Sequence, residues 1–167
     1  MNKDKKFEIL FVCTGNTCRS SMAEGLLKKA LKQRGFGNVN IGSAGTNTLA
    51  GSPATLFAVE VAKDRGVDIS GHSSRKLSED MLEQADLVLV MSQAHLERIK
   101  KLDRNSLKKT YLLKLFPEKD RREGDFDIRD PIGGTLEDYN QVLLEMEEEI
   151  TRILPHVEEM IREGQTK

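Results

Sequence analysis

Two residues with complementary chemistry, Cys13 and Arg19, lie six positions apart near the amino end of the chain. A cysteine thiolate is a strong nucleophile, and a guanidinium group binds two oxygens of a phosphoryl group with paired hydrogen bonds. Between them stand five residues, Thr14-Gly15-Asn16-Thr17-Cys18. A Cys-x5-Arg pattern is short and arises often in unrelated sequences, so its meaning depends on the elements that flank it.

The flanking residues predict a strand before this loop and a helix after it. Residues 7–12 form a nearly continuous apolar run, which is typical of a strand buried on both faces, and Cys13 ends it. After Ser20, apolar residues recur at helical spacing: Met22, Leu26, Leu27, Ala30 and Leu31. The first N–H groups of a helix lack partners within it, and the helix dipole favours negative charge there. We therefore expect residues 14–19 to bind a phosphate-like anion and the pKa of Cys13 to be lowered.

Three segments together resemble the low-molecular-weight phosphotyrosine-phosphatase family. They are Cys13-Thr14-Gly15-Asn16-Thr17-Cys18-Arg19-Ser20, Ser43-Ala44-Gly45 and Asp130-Pro131. The resemblance covers essentially the whole chain. It implies that Cys13 attacks phosphorus and forms a thiophosphoryl intermediate, while Arg19 and the loop N–H groups bind the other oxygens without a metal.

The same resemblance implies a network of side chains that supports the loop. Ser20 would stabilise the thiolate, and Asn16, Ser43 and His72 would hold the loop in place. For His72 the sequence alone leaves an ordinary alternative, a histidine in a polar loop.

The leaving group needs a proton, and Asp130 is the expected general acid. It precedes Pro131 in a glycine-containing loop that can fold over the site, and it matches the acid of the family by position. In the second step the same carboxylate would take a proton from the attacking water. An Asp-Pro pair also starts turns, and Asp125 and Asp127 are the nearest alternative acids.

Two departures from the tyrosine-specific members favour phosphoarginine as the substrate. Those members have aromatic walls, whereas this chain has Ile132-Gly133-Gly134 and Leu49 in the corresponding segments, with 5% aromatic residues overall. Thr17 stands where they have an aliphatic residue, and both departures resemble the bacterial protein-arginine-phosphatase branch. The planar, cationic guanidinium of phosphoarginine also suits the carboxylate of Asp130. We predict a protein-arginine-phosphatase whose specificity depends on Thr17; the alternative is a protein-tyrosine-phosphatase.

The chain contains two cysteines, and both lie in the predicted phosphate loop. Arsenate reductases with this loop relay a disulfide through further downstream cysteines, which are lacking here, so that function is disfavoured. An oxidised Cys13 could be captured by Cys18 as a reversible disulfide, although Cys18 is equally well explained as a small buried residue. The three histidines are scattered without metal-ligand spacing, so we expect no metal and no cofactor.

Charge and hydropathy indicate what kind of partner the protein has. Among 167 residues, 26 Lys and Arg oppose 27 Asp and Glu, for a net charge of -1. This balance gives no drive towards nucleic acid or an anionic membrane. Because we find neither a signal-peptide core nor a membrane span, we expect a cytoplasmic protein. We also expect it to be a monomer and to act on phosphorylated protein substrates.

The rest of the pattern predicts an α/β fold. Further strands are expected at residues 39–41, 86–91 and 111–113, and helices separate them. The prediction is a doubly wound sheet of about four parallel strands with helices on both faces, like the phosphotyrosine phosphatase I fold. We expect one domain over residues 1–167, with residues 1–6 flexible.

Capping residues and a proline define the predicted helices. Ser52 and Pro53 should begin one helix, and Ser92 should cap another. A long helix should begin at residues 135–138 and continue through Pro155 with a kink, because its apolar residues keep their phase across the proline.

Overall fold

Four parallel strands form the centre of the fold in the computed structural model, which describes residues 5–119 and 123–166. They are β1 (Phe7–Cys13), β2 (Val39–Gly45), β3 (Leu87–Val90) and β4 (Thr110–Leu112), in the order β2-β1-β3-β4. β1 is internal, and its Phe11 and Val12 are fully buried. This burial explains the uninterrupted apolar run and confirms the predicted α/β fold with a parallel sheet.

In the described part of the chain, five α-helices and one short 3-10 helix surround the sheet. They are α1 (Arg19–Gln33), α2 (Leu56–Asp64), α3 (Glu79–Gln84), α4 (Gln93–Leu102) and α5 (Leu136–Thr166), with the 3-10 helix at Arg104–Lys109. Alternate residues of β1 face different layers: Phe11 packs in the core with α1, α2 and α5, whereas Val12 packs with α3 and α4. The predicted helices on both faces are therefore confirmed.

The prediction that Ser52 and Pro53 begin a helix is wrong. α2 begins three residues after Pro53, at Leu56, where the side chain of Thr55 accepts the Ala58 N–H at 3.4 Å. Ser52 is held in another way, because its N–H donates to the Ser74 hydroxyl at 2.9 Å and its carbonyl accepts the Ser74 N–H at 2.8 Å. These bonds tie residues 51–54 to a distant segment and delay the helix.

α5 continues through Pro155, as predicted, and its inner face is buried along most of its length. The apolar residues expected to form this face are those at 136, 139, 143, 146, 150, 153, 157 and 160. Those from 139 to 157 are buried, Met160 is partly buried and Leu136 is 38% exposed. The kink itself stays a prediction. The short helix α3 was not predicted, because six residues with one buried apolar side chain, Leu82, give too little periodicity.

Two expectations concern the amino end and membranes. Part of the predicted flexible segment, residues 1–4, lies outside the described residues, and Lys5 and Lys6 are exposed. Among the residues that the structure describes, no helix has the length and apolar character needed to cross a bilayer.

Candidate active site

The loop between β1 and α1 lies at the carboxyl end of an internal strand. Cys13 is the last residue of β1 and Arg19 the first of α1. The start of the loop is tied down by the chain that follows β2, because Thr46 and Asn47 donate their N–H groups to the carbonyls of Cys13 and Thr14 at 2.9 and 3.0 Å. Within the described ranges, no hydrogen bond uses the N–H groups of residues 14, 15 and 17–19. These donors are available for an anion.

β2 approaches this loop so closely that only glycine fits at one position. A Cβ on Gly45 would lie 2.5 Å from the carbonyl oxygen of Thr14. Gly45 is the third residue of the Ser43-Ala44-Gly45 segment that resembles the phosphatase family, and this contact is a physical reason for its presence.

The thiol of Cys13 is buried, with 2% of the residue exposed. Sγ shares a hydrogen bond with the Ser20 hydroxyl at 2.9 Å and accepts the Asn16 N–H at 3.2 Å. Burial raises the pKa of Cys13, while Ser20, Arg19 and Asn16 act to lower it. The predicted lowering of this pKa is wrong, because the loss of solvation around the thiolate outweighs its hydrogen bonds and the nearby guanidinium.

Asn16 is the residue on which the loop contacts converge. Its φ is 56°, in the left-handed region that asparagine tolerates, and it is completely buried. Nδ2 donates to the hydroxyls of Ser20 and Ser43, both at 2.8 Å, and Oδ1 accepts the Arg75 N–H at 2.9 Å. The structure thus brings together three residues of the predicted supporting network, Asn16, Ser20 and Ser43, whereas the contact with the Arg75 backbone was not predicted.

His72 and Glu24 complete the ring of contacts behind the loop. His72 Nε2 forms a hydrogen bond with the Asn16 carbonyl at 2.5 Å, so the structure places His72 against the loop. The hydroxyl of Ser43 donates to the Glu24 carboxylate, which also pairs with Lys28 at 2.6 Å. Glu24 was not selected from the sequence, because an acidic residue within an amphipathic helix ordinarily faces solvent.

Arg19 is held between the loop and the chain that follows β4. Its Nη1 donates to the carbonyl of Ile128 at 2.9 Å, and its Nη2 lies 3.3 Å from Oδ2 of Asp130. Ile128 is itself anchored, since its N–H donates to the Met91 carbonyl at 2.7 Å. The fold thus brings Asp130 to a guanidinium 111 residues away, with the arginine side chain only 6% exposed.

The three candidate acids have different contacts. Asp130 Oδ1 accepts the Ile132 N–H at 3.1 Å, and its side chain is 41% exposed beside Arg19. Asp127 instead accepts the Gln93 N–H at 2.8 Å, at the start of α4, and Asp125 accepts the N–H of Asp127 at 3.0 Å. Of these three carboxylates, Asp130 is the one that pairs with Arg19.

Thr17 is a half-buried residue of the loop. Its Oγ1 lies 3.9 Å from Cys18 Sγ and would lie 3.5 Å from a Cβ on Gly15. Its carbonyl accepts the N–H of Thr55, the residue that caps α2, at 3.0 Å. The start of α2 therefore positions this part of the loop.

Cys18 is buried behind the loop among hydroxyl groups. Its Sγ lies 3.4 Å from the hydroxyl of Tyr139, on α5, and 3.5 Å from Oγ1 of Thr55. Neither partner was predicted from the sequence. Both cysteines are free thiols, and a disulfide between Cys13 and Cys18 stays a prediction.

His95, on the first turn of α4, was not selected from the sequence. Its Nε2 shares a hydrogen bond with the Thr14 hydroxyl at 2.9 Å, and its Nδ1 with the Ser92 hydroxyl at 3.0 Å. Ser92 occupies the N-cap position, but its side chain makes no capping bond, so the predicted cap is wrong in that respect. The spacing of a serine and a histidine three residues apart was the only available signal, and it is too common to be diagnostic.

The surroundings of His95 keep its ring uncharged at neutral pH. Burial, followed by the charge of Arg19, lowers the pKa of His95 to about 4. The carboxylates of Asp127 and Asp130 act to raise this pKa, but their effect is smaller than that of burial and Arg19. A neutral imidazole has one donor and one acceptor, which suits a bridge between two hydroxyl groups.

The segments expected to form aromatic walls carry aliphatic residues that face solvent. Leu49 is 84% exposed and Ile132 is 61% exposed. One partly exposed ring lies near the loop: Phe57, 40% exposed, packs edge-on against Tyr139 with 5.6 Å between ring centroids.

Comparison with known proteins identifies similar sequences and structures. A family model described as low molecular weight phosphotyrosine protein phosphatase matches residues 8–165. A protein-arginine-phosphatase of Bacillus subtilis (strain 168) is 40% identical over 142 residues, which are 84% of this chain and 90% of that protein.

Two solved structures are also similar. The low molecular weight protein tyrosine phosphatase from T. tengcongensis has a TM-score of 0.81 and 36% identity, covering 90% of this chain and 99% of that chain. A YwlE arginine phosphatase mutant with a phosphorylated active-site serine has a TM-score of 0.82 and 34% identity, covering 91% of this chain and 96% of that chain.

Proposed function

The chain belongs to the low-molecular-weight phosphotyrosine protein phosphatase family, and we propose that within it this protein removes the phosphoryl group from phosphoarginine on proteins. The observation that carries the choice of substrate is the mouth of the site. There Thr17 lies half-buried in the loop and the Asp130 carboxylate stands beside Arg19, while the segments expected to form aromatic walls carry the exposed aliphatic residues Ile132 and Leu49.

In the first step, Cys13 Sγ attacks phosphorus in line with the leaving group. The S–P bond forms as the P–N bond breaks, and Asp130 gives its proton to the departing guanidine nitrogen. The free N–H groups of the loop and the guanidinium of Arg19 bind the three other oxygens, where negative charge develops. Because burial raises the pKa of Cys13, the bond from Ser20 is important for stabilising the thiolate that attacks.

In the second step, water attacks the thiophosphoryl group from the side that the leaving group vacated. Asp130, now a carboxylate, accepts a proton from this water, the S–P bond breaks, and inorganic phosphate leaves. The 41% exposure of the Asp130 side chain supports this role, because the group must meet both a leaving group and water.

Phosphoarginine suits this mouth for electrostatic and steric reasons. The leaving group is a planar guanidinium, which pairs with a carboxylate such as that of Asp130. Thr17 is β-branched and half-buried, and we expect it to narrow the entrance to the loop and to offer its hydroxyl to the phosphoryl group or the attacking water. Leu49 and Ile132 supply no ring face on which a phenol could stack.

Phosphotyrosine is the second candidate substrate, and one observation favours it. The partly exposed ring of Phe57 packs against Tyr139, whose hydroxyl contacts Cys18 of the loop. An aromatic substrate could pack against that ring.

The test is the ratio of kcat/KM for two peptides of one sequence, one carrying phosphoarginine and the other phosphotyrosine. We expect wild type to prefer phosphoarginine by at least about tenfold, and Thr17→Ile to reverse or abolish that preference. Thr151→Ile is the matched control, because it makes the same chemical change on the exposed side of α5, where the hydroxyl donates to the Glu147 carbonyl at 2.8 Å. A wild-type preference for phosphotyrosine that Thr17→Ile leaves unchanged contradicts the proposal.

We also propose that the protein acts as a cytoplasmic monomer without a metal, a cofactor or nucleic acid. The contacts among Cys13, Arg19 and Asp130 are made within one chain, which supports activity of the monomer. Size-exclusion chromatography with activity measured across the eluted peak tests whether the monomer is active, and activity confined to an oligomer contradicts that part of the proposal.

A further inference from the structure

His95 lies beside the phosphate loop, with 3% of the residue exposed. We propose that His95 is a positioning residue for the proposed phosphatase reaction: through its bond to Thr14 it holds the peptide that follows Cys13 in the orientation that the transition state requires. The inference rests on the proposed function for its role in catalysis, whereas the geometry of the anion site can be tested without turnover.

The two bonds of His95 form a directional chain. A neutral imidazole donates from one nitrogen and accepts at the other, so one of the two hydroxyls must accept from the ring and the other must donate to it. The Nε2 contact to Thr14 is 2.9 Å and the Nδ1 contact to Ser92 is 3.0 Å. The ring therefore couples the orientation of the Thr14 hydroxyl to that of Ser92.

The fold leaves Ser92 free for this purpose. A serine at the N-cap ordinarily accepts an N–H from the first turn of its helix. Here the N–H of His95, the third helical residue, donates to the Ser92 carbonyl at 3.1 Å, and the Ser92 side chain makes no capping bond. Its hydroxyl is available to hold His95.

Thr14 connects His95 to the proposed anion site. Its carbonyl is fixed on one side by the Asn47 N–H at 3.0 Å, and its hydroxyl on the other by His95 at 2.9 Å. Its own N–H is one of the free donors beside the nucleophile. Losing the histidine leaves one of the two restraints, so the peptide can tilt and this donor no longer points at the equatorial oxygens.

The experiment compares two anions that bind the same loop. Orthovanadate forms a five-coordinate adduct with a thiolate and mimics the transition state, whereas inorganic phosphate reports ground-state binding. Dissociation constants are measured for wild type, His95→Ala, His95→Gln, Thr14→Val and the His95→Ala/Thr14→Val double variant. His156→Ala is the matched control, because that histidine is exposed on α5.

If His95 positions Thr14, His95→Ala weakens vanadate binding about 10- to 100-fold and phosphate binding by less than about threefold. kcat then falls by a factor similar to that for vanadate, with KM nearly unchanged. His95→Gln, which keeps a neutral donor and acceptor, recovers most of the loss. The double variant is no worse than the poorer single variant, because both remove the same contact. His156→Ala binds both anions as wild type does.

Three results overturn the proposal. They are an effect of His95→Ala on vanadate binding no larger than that of the control, an equal weakening of both anions, and an effect that multiplies with that of Thr14→Val. If His95→Ala does not fold, the vanadate and phosphate dissociation constants of His95→Gln and Thr14→Val are compared instead. The proposal then requires Thr14→Val to weaken vanadate binding more than phosphate binding, while His95→Gln stays close to wild type. If wild type lacks phosphatase activity, the proposed function fails while the vanadate and phosphate constants still decide whether His95 positions the loop.

Discussion

Replacing Asn16 with alanine is the change that tests the supporting network most directly. The side chain is completely buried and makes three hydrogen bonds, two from Nδ2 to the hydroxyls of Ser20 and Ser43 and one to Oδ1 from the Arg75 N–H. Its backbone also has a φ of 56°, which alanine adopts less readily than asparagine. Alanine removes all three bonds and adds backbone strain.

The magnitude follows from these separate losses. Each bond from Nδ2 contributes about 1 kcal/mol, and leaving the N–H of Arg75 without its partner costs about 1 kcal/mol or more. Alanine in the left-handed region, which asparagine tolerates, costs up to roughly 1 kcal/mol further. We expect Asn16→Ala to lower the free energy of unfolding by about 4 kcal/mol, which for a chain of this size lowers Tm by roughly 10 °C.

Urea unfolding followed by circular dichroism measures this loss. Asn16→Gly removes the same bonds without the strain, so its loss should be smaller by up to about 1 kcal/mol. Asn40→Ala is the matched control: its Nδ2 donates to Glu8 at 2.6 Å on the exposed surface, and we expect a change within about 0.5 kcal/mol. A loss for Asn16→Ala that is no larger than that of the control would refute the reasoning.

Three further predictions concern single groups of the site. Ser20→Ala removes a bond that lowers the pKa of Cys13, so alkylation of that thiol by iodoacetamide should require higher pH than in wild type; an unchanged pH profile contradicts this. The pKa of His95 is about 4 when folded against 6.5 ordinarily, so between these values only the unfolded chain binds the proton and stability should rise with pH, by up to about 3 kcal/mol. Urea titrations at pH 4.5 and 7 check this, and His95→Gln should lose the pH dependence that this group causes. Asp130→Asn should lower kcat about 100-fold or more, with Asp125→Asn near wild type, and equal effects of the two would contradict the assignment of the acid.

The sequence by itself determined the parts of the site that lie within one segment. Residues 7–31 predict a buried strand, a short polar loop and an amphipathic helix. The short loop places the end of the strand close to the amino end of the helix. The sequence therefore predicts, from this segment alone, that Cys13 and Arg19 border one anion site. The parallel sheet was also predictable from the sequence, because buried strands that alternate with helices along the chain allow few other arrangements.

The tertiary structure decided which distant groups reach that segment. Ser43 and Arg75 contact Asn16 across 27 and 59 residues, and His95 reaches Thr14 across 81. The spacing of apolar residues within one segment gives no information about such contacts, because they depend on how the strands and helices pack together.

The sign of the Cys13 pKa shift was decided at the same level. The local pattern identifies the groups that stabilise a thiolate, but the cost of desolvating it depends on every element packed around the sulfur. Burial is a property of the assembled fold, and here it outweighs the charges and hydrogen bonds that the sequence made visible.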